Sequence, residues 1–405
     1  MYLKKAFRRN IAAIILSATL LMIVGVLFVG CDGSSVVVDG ATNDSSEKDS
    51  SLVGEDVVDK EEDNYDGPRV LTYENMGKLS SGKNVVFFLV DRFDAKYYAK
   101  KLAEDSDFFE RLDGFTYFND YTSLYCRTYP AVASILTGKD HDYFTSKSTA
   151  FKSFFGDGGK LGVLKDHGYD INLYTEKGYV YNDATVMKDY VDNVSHSEGE
   201  EQFMVDKNAT ADLKSRLEGT DFEAVESRGQ FTFIHLYGCH DTSLKVTERV
   251  NVTFDLIYYY LDQMKELGIY EDATIIITGD HAAALSDSKM IGSASSSDDG
   301  TRVTAMLFKR SGDVGTALST SSAQISQDEL WNTIFESEGL LDEKNGESFF
   351  DIPEGVDRER RYIFEMYKNS KNNDLKYNRL YEYRITGTAL DAKNWEIVSE
   401  TDVIK

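Results

Sequence analysis

Thr274–His281 reads TIIITGDH. Three isoleucines between threonines make a continuous β-branched apolar run, the pattern of a strand buried on both faces rather than one with a wet face. The run ends at Gly279 and passes directly to an acid and an imidazole. Four more segments carry the same signature: VVFFLV (Val85–Val90), INLYT (Ile171–Thr175), FTFIHLY (Phe231–Tyr237) and VTAMLF (Val303–Phe308). Helical stretches separate them. The clearest is Asn251–Gly268, where Val252, Leu256, Tyr260, Leu261, Met264 and Leu267 recur at helical spacing and Gly268 supplies a stop. Strands alternating with helices predict an α/β fold with a central, mostly parallel sheet sandwiched by helices. The last fifth differs. RRYIFEMY (Arg360–Tyr367), LYEYRITG (Leu380–Gly387) and WEIVS (Trp395–Ser399) read as antiparallel strands of a small C-terminal subdomain, about 341–405.

In such a sheet, ligands and catalytic groups gather beyond the carboxyl ends of the strands. VVFFLV runs into Asp91-Arg92, FTFIHLY into Gly238-Cys239-His240-Asp241, and TIIIT into Gly279-Asp280-His281. One Asp after one strand is most often a turn or cap residue. Three strands ending in acid/base or metal-ligand types at one sheet edge form a candidate site. Thr128 belongs to the same geometry. It lies between the extended FTYFNDYTS (Phe115–Ser123) and a short helix, PAVASILTG (Pro130–Gly138), with Pro130 in its first turn. A hydroxyl there is either a simple N-cap or a nucleophile at a helix N-terminus that favours anions.

The rest of the chain sets the context. Of 405 residues, 41% are hydrophobic, and the formal charge of −25 argues against a nucleic-acid binder. Lys4, Lys5, Arg8 and Arg9 precede twenty uncharged residues, Ile11–Gly30, a membrane-targeting pattern long enough to span a bilayer. It ends at Cys31, so residues 1–31 read either as a single-pass anchor or as a lipoprotein signal that leaves a lipid on Cys31. Residues 32–68 carry twelve Asp or Glu against two Lys up to Asp66 and few large apolar side chains, the composition of a solvated spacer. The catalytic domain is expected over 69–405, outside the cytoplasm of a bacterial cell and attached to its membrane. Cys126 and Cys239 are too few for a disulfide framework and read as one disulfide or as two small buried residues.

The order NVVFFLVD, TYPAVASILTG, FTFIHLYGCH and TIIITGDH resembles the sulfatase branch of the alkaline-phosphatase superfamily over about Asn84 to Leu340. In formylglycine sulfatases the nucleophile is a Cys or Ser opening a C-x-P-x-R motif that ends nine residues later in Thr-Gly. Counting back from Thr137 lands on Thr128, with Pro130 in the proline position and Val132 where the arginine would be. A threonine cannot become formylglycine. In this respect the chain resembles the lipoteichoic acid synthases and phosphoethanolamine transferases of the same fold. That likeness implies one divalent cation (manganese, zinc, magnesium or calcium) held by Asp91, Thr128, Asp280 and His281, with Thr128 as nucleophile. Asp241 and His240 leave room for a second metal. It also implies His240 as a substrate contact, with Arg92, Arg127 and Lys177 as further candidates for gripping an anion. The substrate implied is a lipid or glycan phosphodiester at the cell envelope. Three readings follow: transfer of a phosphoglycerol or phosphoethanolamine-type group, hydrolysis of a phosphodiester or sulfate ester, and a non-catalytic surface binding protein.

Overall fold

The computed structural model describes residues 67, 69–175, 180, 184–195, 209–240, 243–283, 302–369 and 376–404. The segments expected as membrane anchor and acidic spacer lie outside these residues, Gly67 apart. Among the described residues no helix is long and apolar enough to cross a membrane.

In the strand Lys83–Val90 (β1) the run from Val85 to Val90 is apolar throughout, and the structure shows why. Val85, Phe87 and Leu89 point into one cluster of buried side chains, and Val86, Phe88 and Val90 into another on the opposite face. A period of two with both faces covered leaves no position for a polar residue. Fully burying such a Val, Leu or Phe contributes about 1.5–3 kcal/mol.

Around β1 lies an eight-stranded sheet. Its other members are Phe115–Thr122 (β2), Tyr169–Tyr174 (β3), Gly229–Leu236 (β4), Ala273–Thr278 (β5), Thr304–Lys309 (β6), Ser319–Ser321 (β7) and Ile325–Ser326 (β8). The order is β7-β2-β6-β5-β1-β4-β3, with β8 also pairing to β2. Within this sheet β6 alone runs antiparallel to its neighbours β2 and β5. Thus the mostly parallel sheet expected from the sequence is present, with VTAMLF as its reversed strand.

Helices cover both faces. Ala95–Glu104 (α1), Ala209–Glu218 (α5) and Val246–Glu266 (α6) pack on one side. Thr128–Thr137 (α2), Lys147–Phe155 (α3), Gly159–Asp166 (α4) and Leu330–Ser337 (α7) pack on the other. In α6 the buried face runs through Val250, Phe254, Ile257, Leu261 and Met264. Val252, expected from its spacing to be inward, is 37% exposed because packing through Val250, Phe254 and Ile257 turns position 252 outward.

Glu359–Asn369 (β9), Lys376–Thr386 (β10) and Trp395–Ile404 (β11) form the separate antiparallel sheet read from the C-terminal sequence. Tyr362, Phe364, Met366, Tyr381, Tyr383 and Ile385 line its inner face and pack on Ala95 and Val303. Arg360 anchors it to the main sheet. Its guanidinium donates to Asp120 O, Asp120 Oδ1, Ile325 O and Gly387 O at 2.7, 3.0, 3.2 and 2.7 Å.

Candidate active site

Strand register brings the polar residues together. Val90 is opposite Leu236, and Leu89 is opposite Thr278, so β1, β4 and β5 end level with one another. Asp91 and Asp280-His281 therefore leave the sheet side by side. β2 runs in the same direction, and the chain after it reaches α2 at Thr128.

Close approach at this edge depends on Gly279. A Cβ there would stand 2.8 Å from Thr304 Cγ2, 2.9 Å from Phe93 N and 3.0 Å from Phe93 O. Arg92, one residue past Asp91, takes a left-handed backbone with φ 61°, which is uncommon for a residue with a side chain. Its N–H donates to Asp280 Oδ1 at 3.0 Å. The bend after β1 is thereby tied to the acid after β5.

Ligand-type atoms of Asp91, Asp280 and His281 all lie within 4.8 Å of one another, and all three residues are buried. His281 Nε2 is 3.4 Å from Asp280 Oδ2 and 4.0 Å from Asp91 Oδ1. His281 Nδ1 lies 2.6 Å from Ala282 O. A carbonyl only accepts, so Nδ1 carries the proton and the Nε2 lone pair faces the two acids. Asp91 Oδ1 and Asp280 Oδ2 are buried with no hydrogen-bond donor. Two unpaired carboxylate oxygens and an imidazole nitrogen gathered this closely make a site suited to a cation, with the hard oxygen and imidazole ligands that divalent metals take.

The charges point the same way. Burial, then the nearby Asp280, pushes the Asp91 carboxyl well above its ordinary range. Burial penalises Asp280 too, but the neighbouring imidazole rings together with the Arg92 N–H hold it below its ordinary value. Two buried carboxylates this close cannot both stay charged without a compensating cation.

Thr128 is the first residue of α2, not its N-cap; Arg127 holds that position and makes no side-chain capping bond. The hydroxyl is half-buried, with Oγ1 3.4 Å from His281 Nε2. Since the first main-chain bond of the helix runs from Ala131 N to Arg127 O, the earlier N–H groups have no acceptor within the helix. Gly138, with φ 68°, closes the other end in the left-handed conformation.

His240 sits in a short 3₁₀ turn after β4, half-buried, with Nδ1 3.0 Å from Tyr237 Oη. Burial, then Arg92, lowers its pKa. The response to Arg92 puts these two candidate anion contacts in one field. His235, inside β4, is buried and its pKa falls to about 4, first through burial, so it is neutral; Nδ1 is 3.0 Å from Thr175 Oγ1. Arg127 is directed elsewhere: its guanidinium donates to Glu365 O. Lys177 and Asp241 lie outside the described residues. Cys126 and Cys239 are free thiols, so the single disulfide does not form. Glu365 had no signal in the sequence, because its contacts reach across more than two hundred residues.

A family model described as sulfatase matches residues 83–339, well over half of the chain. The chain belongs to the sulfatase family. Sulfatase-family membership makes it an enzyme-like hydrolase or transferase of sulfate or phosphate esters, in a family whose members typically depend on divalent metals. No curated protein matches the sequence. Among solved structures, the chain is similar to the lipoteichoic acid synthase LtaP from Listeria monocytogenes at 11% identity. That likeness covers 79% of this chain and 88% of LtaP, with a TM-score of 0.46. It is also similar to a phosphonate monoester hydrolase from Silicibacter pomeroyi at 14% identity, over 80% of this chain and 88% of that one, with a TM-score of 0.48.

Proposed function

We propose that this sulfatase-family chain is a metal-dependent, extracytoplasmic phosphodiester transferase that uses Thr128 as its nucleophile. Its substrate would be a lipid or glycan phosphodiester at the cell envelope, and the group moved a phosphoglycerol or phosphoethanolamine type. One observation supports the reading: the Thr128 hydroxyl, at the start of α2, lies 3.4 Å from the imidazole of a buried Asp/Asp/His group.

Asp91, Asp280 and His281 would hold a divalent cation, with Thr128 Oγ1 beside it. When bound, such a cation acts as a Lewis acid that lowers the pKa of a neighbouring hydroxyl and offsets phosphoryl charge. The residues supply the remainder. The first turn of α2 offers N–H groups to a phosphoryl oxygen. His240, held neutral, offers one N–H donor, and Arg92 offers a positive charge from the same edge. Thr128 gives up its hydroxyl proton as its oxygen bonds to phosphorus. The bond from phosphorus to the leaving alcohol breaks, and that alcohol departs protonated. A second hydroxyl then attacks phosphorus, releases Thr128 and returns a proton to it. Water in that role makes the same site a hydrolase, the second reading that family membership supports.

Intact-mass analysis of the full-length chain after incubation with phosphatidylglycerol or phosphatidylethanolamine vesicles tests the proposal. The expected result is a head-group adduct on the wild type that is missing from Thr128→Ala. Identical adducts on both proteins would remove Thr128 from the role.

A further inference from the structure

The chain entering α2 is held by the C-terminal sheet. Ile363 N donates to Leu124 O at 2.8 Å, and Tyr125 and Ile363 form a parallel bridge. Two residues further along both segments, Arg127 meets Glu365. Arg127 Nε and Nη2 donate to Glu365 O at 3.3 and 3.0 Å, and Nε lies 3.8 Å from Glu365 Oε2. Between them, Cys126 Sγ accepts from the Glu365 N–H at 3.2 Å. The residues leading to Thr128 are thus tied to β9 by one isolated bridge and by the side chains of Cys126 and Arg127.

Local sequence does not explain this arrangement. The N-terminus of α2 has no side-chain cap, and the ties of its flanking segment to the main-sheet side run through side chains, from Leu124 N to Gln327 Oε1 and from Thr304 Oγ1 to Ser123 Oγ. Glu365 is only 2% exposed, an unfavourable place for a carboxylate unless it faces a cation. An acid serving only the sheet would sit on the wet face, as Glu382 and Glu396 do.

We propose that Glu365 is a positioning residue. Paired with Arg127, it clamps the segment before Thr128 and so fixes where the Thr128 hydroxyl stands relative to Asp280 and His281. This inference rests on Thr128 being the nucleophile, and it gives Arg127 the task of anchoring the helix start rather than gripping substrate. Placement within a fraction of an ångström matters, since a displacement of about 1 Å at a reacting atom costs about 10²-fold in rate.

The experiment compares wild type, Glu365→Gln, Arg127→Gln and the double variant as full-length protein, with two readouts. The first is turnover of bis(p-nitrophenyl) phosphate in the presence of manganese. Each single variant should lose about tenfold or more in kcat with KM within about twofold, and the double variant should lose no more than the worse single one. The second readout needs no activity. Cys126 is half-buried, its Sγ held 3.2 Å from the Glu365 N–H, so the clamp limits access to it. Its alkylation by iodoacetamide, located by peptide mass, should speed up about tenfold in each variant. Unchanged labelling and kcat in both single variants would overturn the clamp. A raised KM at constant kcat would also overturn it, returning Arg127 to substrate binding. Should the wild type show no turnover of this probe, the phosphodiester reading fails, and labelling alone judges the clamp.

Discussion

Replacing Gly279 with alanine is expected to damage the proposed metal site more than the fold. The added Cβ would meet Thr304 Cγ2, Phe93 N and Phe93 O at 2.8, 2.9 and 3.0 Å, and ordinary contact begins near 3.4 Å. None of the three yields easily. Phe93 N donates to Val90 O at 3.1 Å, and Phe93 O accepts from Ala305 N at 2.9 Å. Rotating Thr304 would break its bond to Ser123 Oγ at 3.2 Å. The backbone at 279 must therefore back away by about 0.5 Å, at about 1–3 kcal/mol of stability for overpacking. That movement separates Asp280 and His281, directly after Gly279, from Asp91, two residues before Phe93. Loss of about tenfold or more in metal affinity follows. Thermal unfolding with and without manganese or zinc reads both effects. A metal at 100 times its Kd stabilises by about 2.7 kcal/mol, and a tenfold weaker site loses about half of that. Elemental analysis of the wild type provides the baseline stoichiometry. An alanine variant with wild-type melting temperature and wild-type metal-induced shift would refute the packing argument.

Two further expectations concern stability. Lys309 is fully buried, donating to the carbonyls of Glu271, Ala273 and Arg310, and burial lowers its pKa to about 8. The unfolded chain keeps this proton to about pH 10.4, so the unfolded state binds more protons between those limits and this group's contribution to stability rises with pH there. Urea midpoints at pH 7.5, 8.5 and 9.5 should show wild type gaining up to about 2 kcal/mol on Lys309→Met; parallel curves would contradict the depressed value. Arg360→Met should cost about 3–5 kcal/mol, because it strands the buried Asp120 carboxylate and unties the two sheets. Calorimetry checks this, and a loss under about 1 kcal/mol would show the pair to be replaceable.

Much of this architecture is legible from local sequence. β1, β4 and β5 declare themselves because burial on both faces keeps their runs mainly apolar, and Asp91, His240, Asp280 and His281 follow where those runs end. The direction of β6 is not legible, since VTAMLF reads alike whichever way it runs. Val252 was misplaced because helical periodicity gives spacing but not the rotation that neighbouring elements impose. Glu365 and Arg360 lie beyond any local rule: each sits in a strand of mixed charge, and only the folded chain shows which charges are drawn inward. The same holds for Arg127, which in sequence looks as available to an anion as Arg92.

The hydrogen bond from His281 Nδ1 to the Ala282 carbonyl has an evolutionary consequence. In many metal sites a second side chain orients the ligand histidine, and its loss by substitution releases the ring. Here the acceptor is a main-chain oxygen, which every amino acid brings. The side chain at the buried position 282 thus has no part in setting the tautomer beside it, and the orientation of the imidazole is inherited with the path of the backbone.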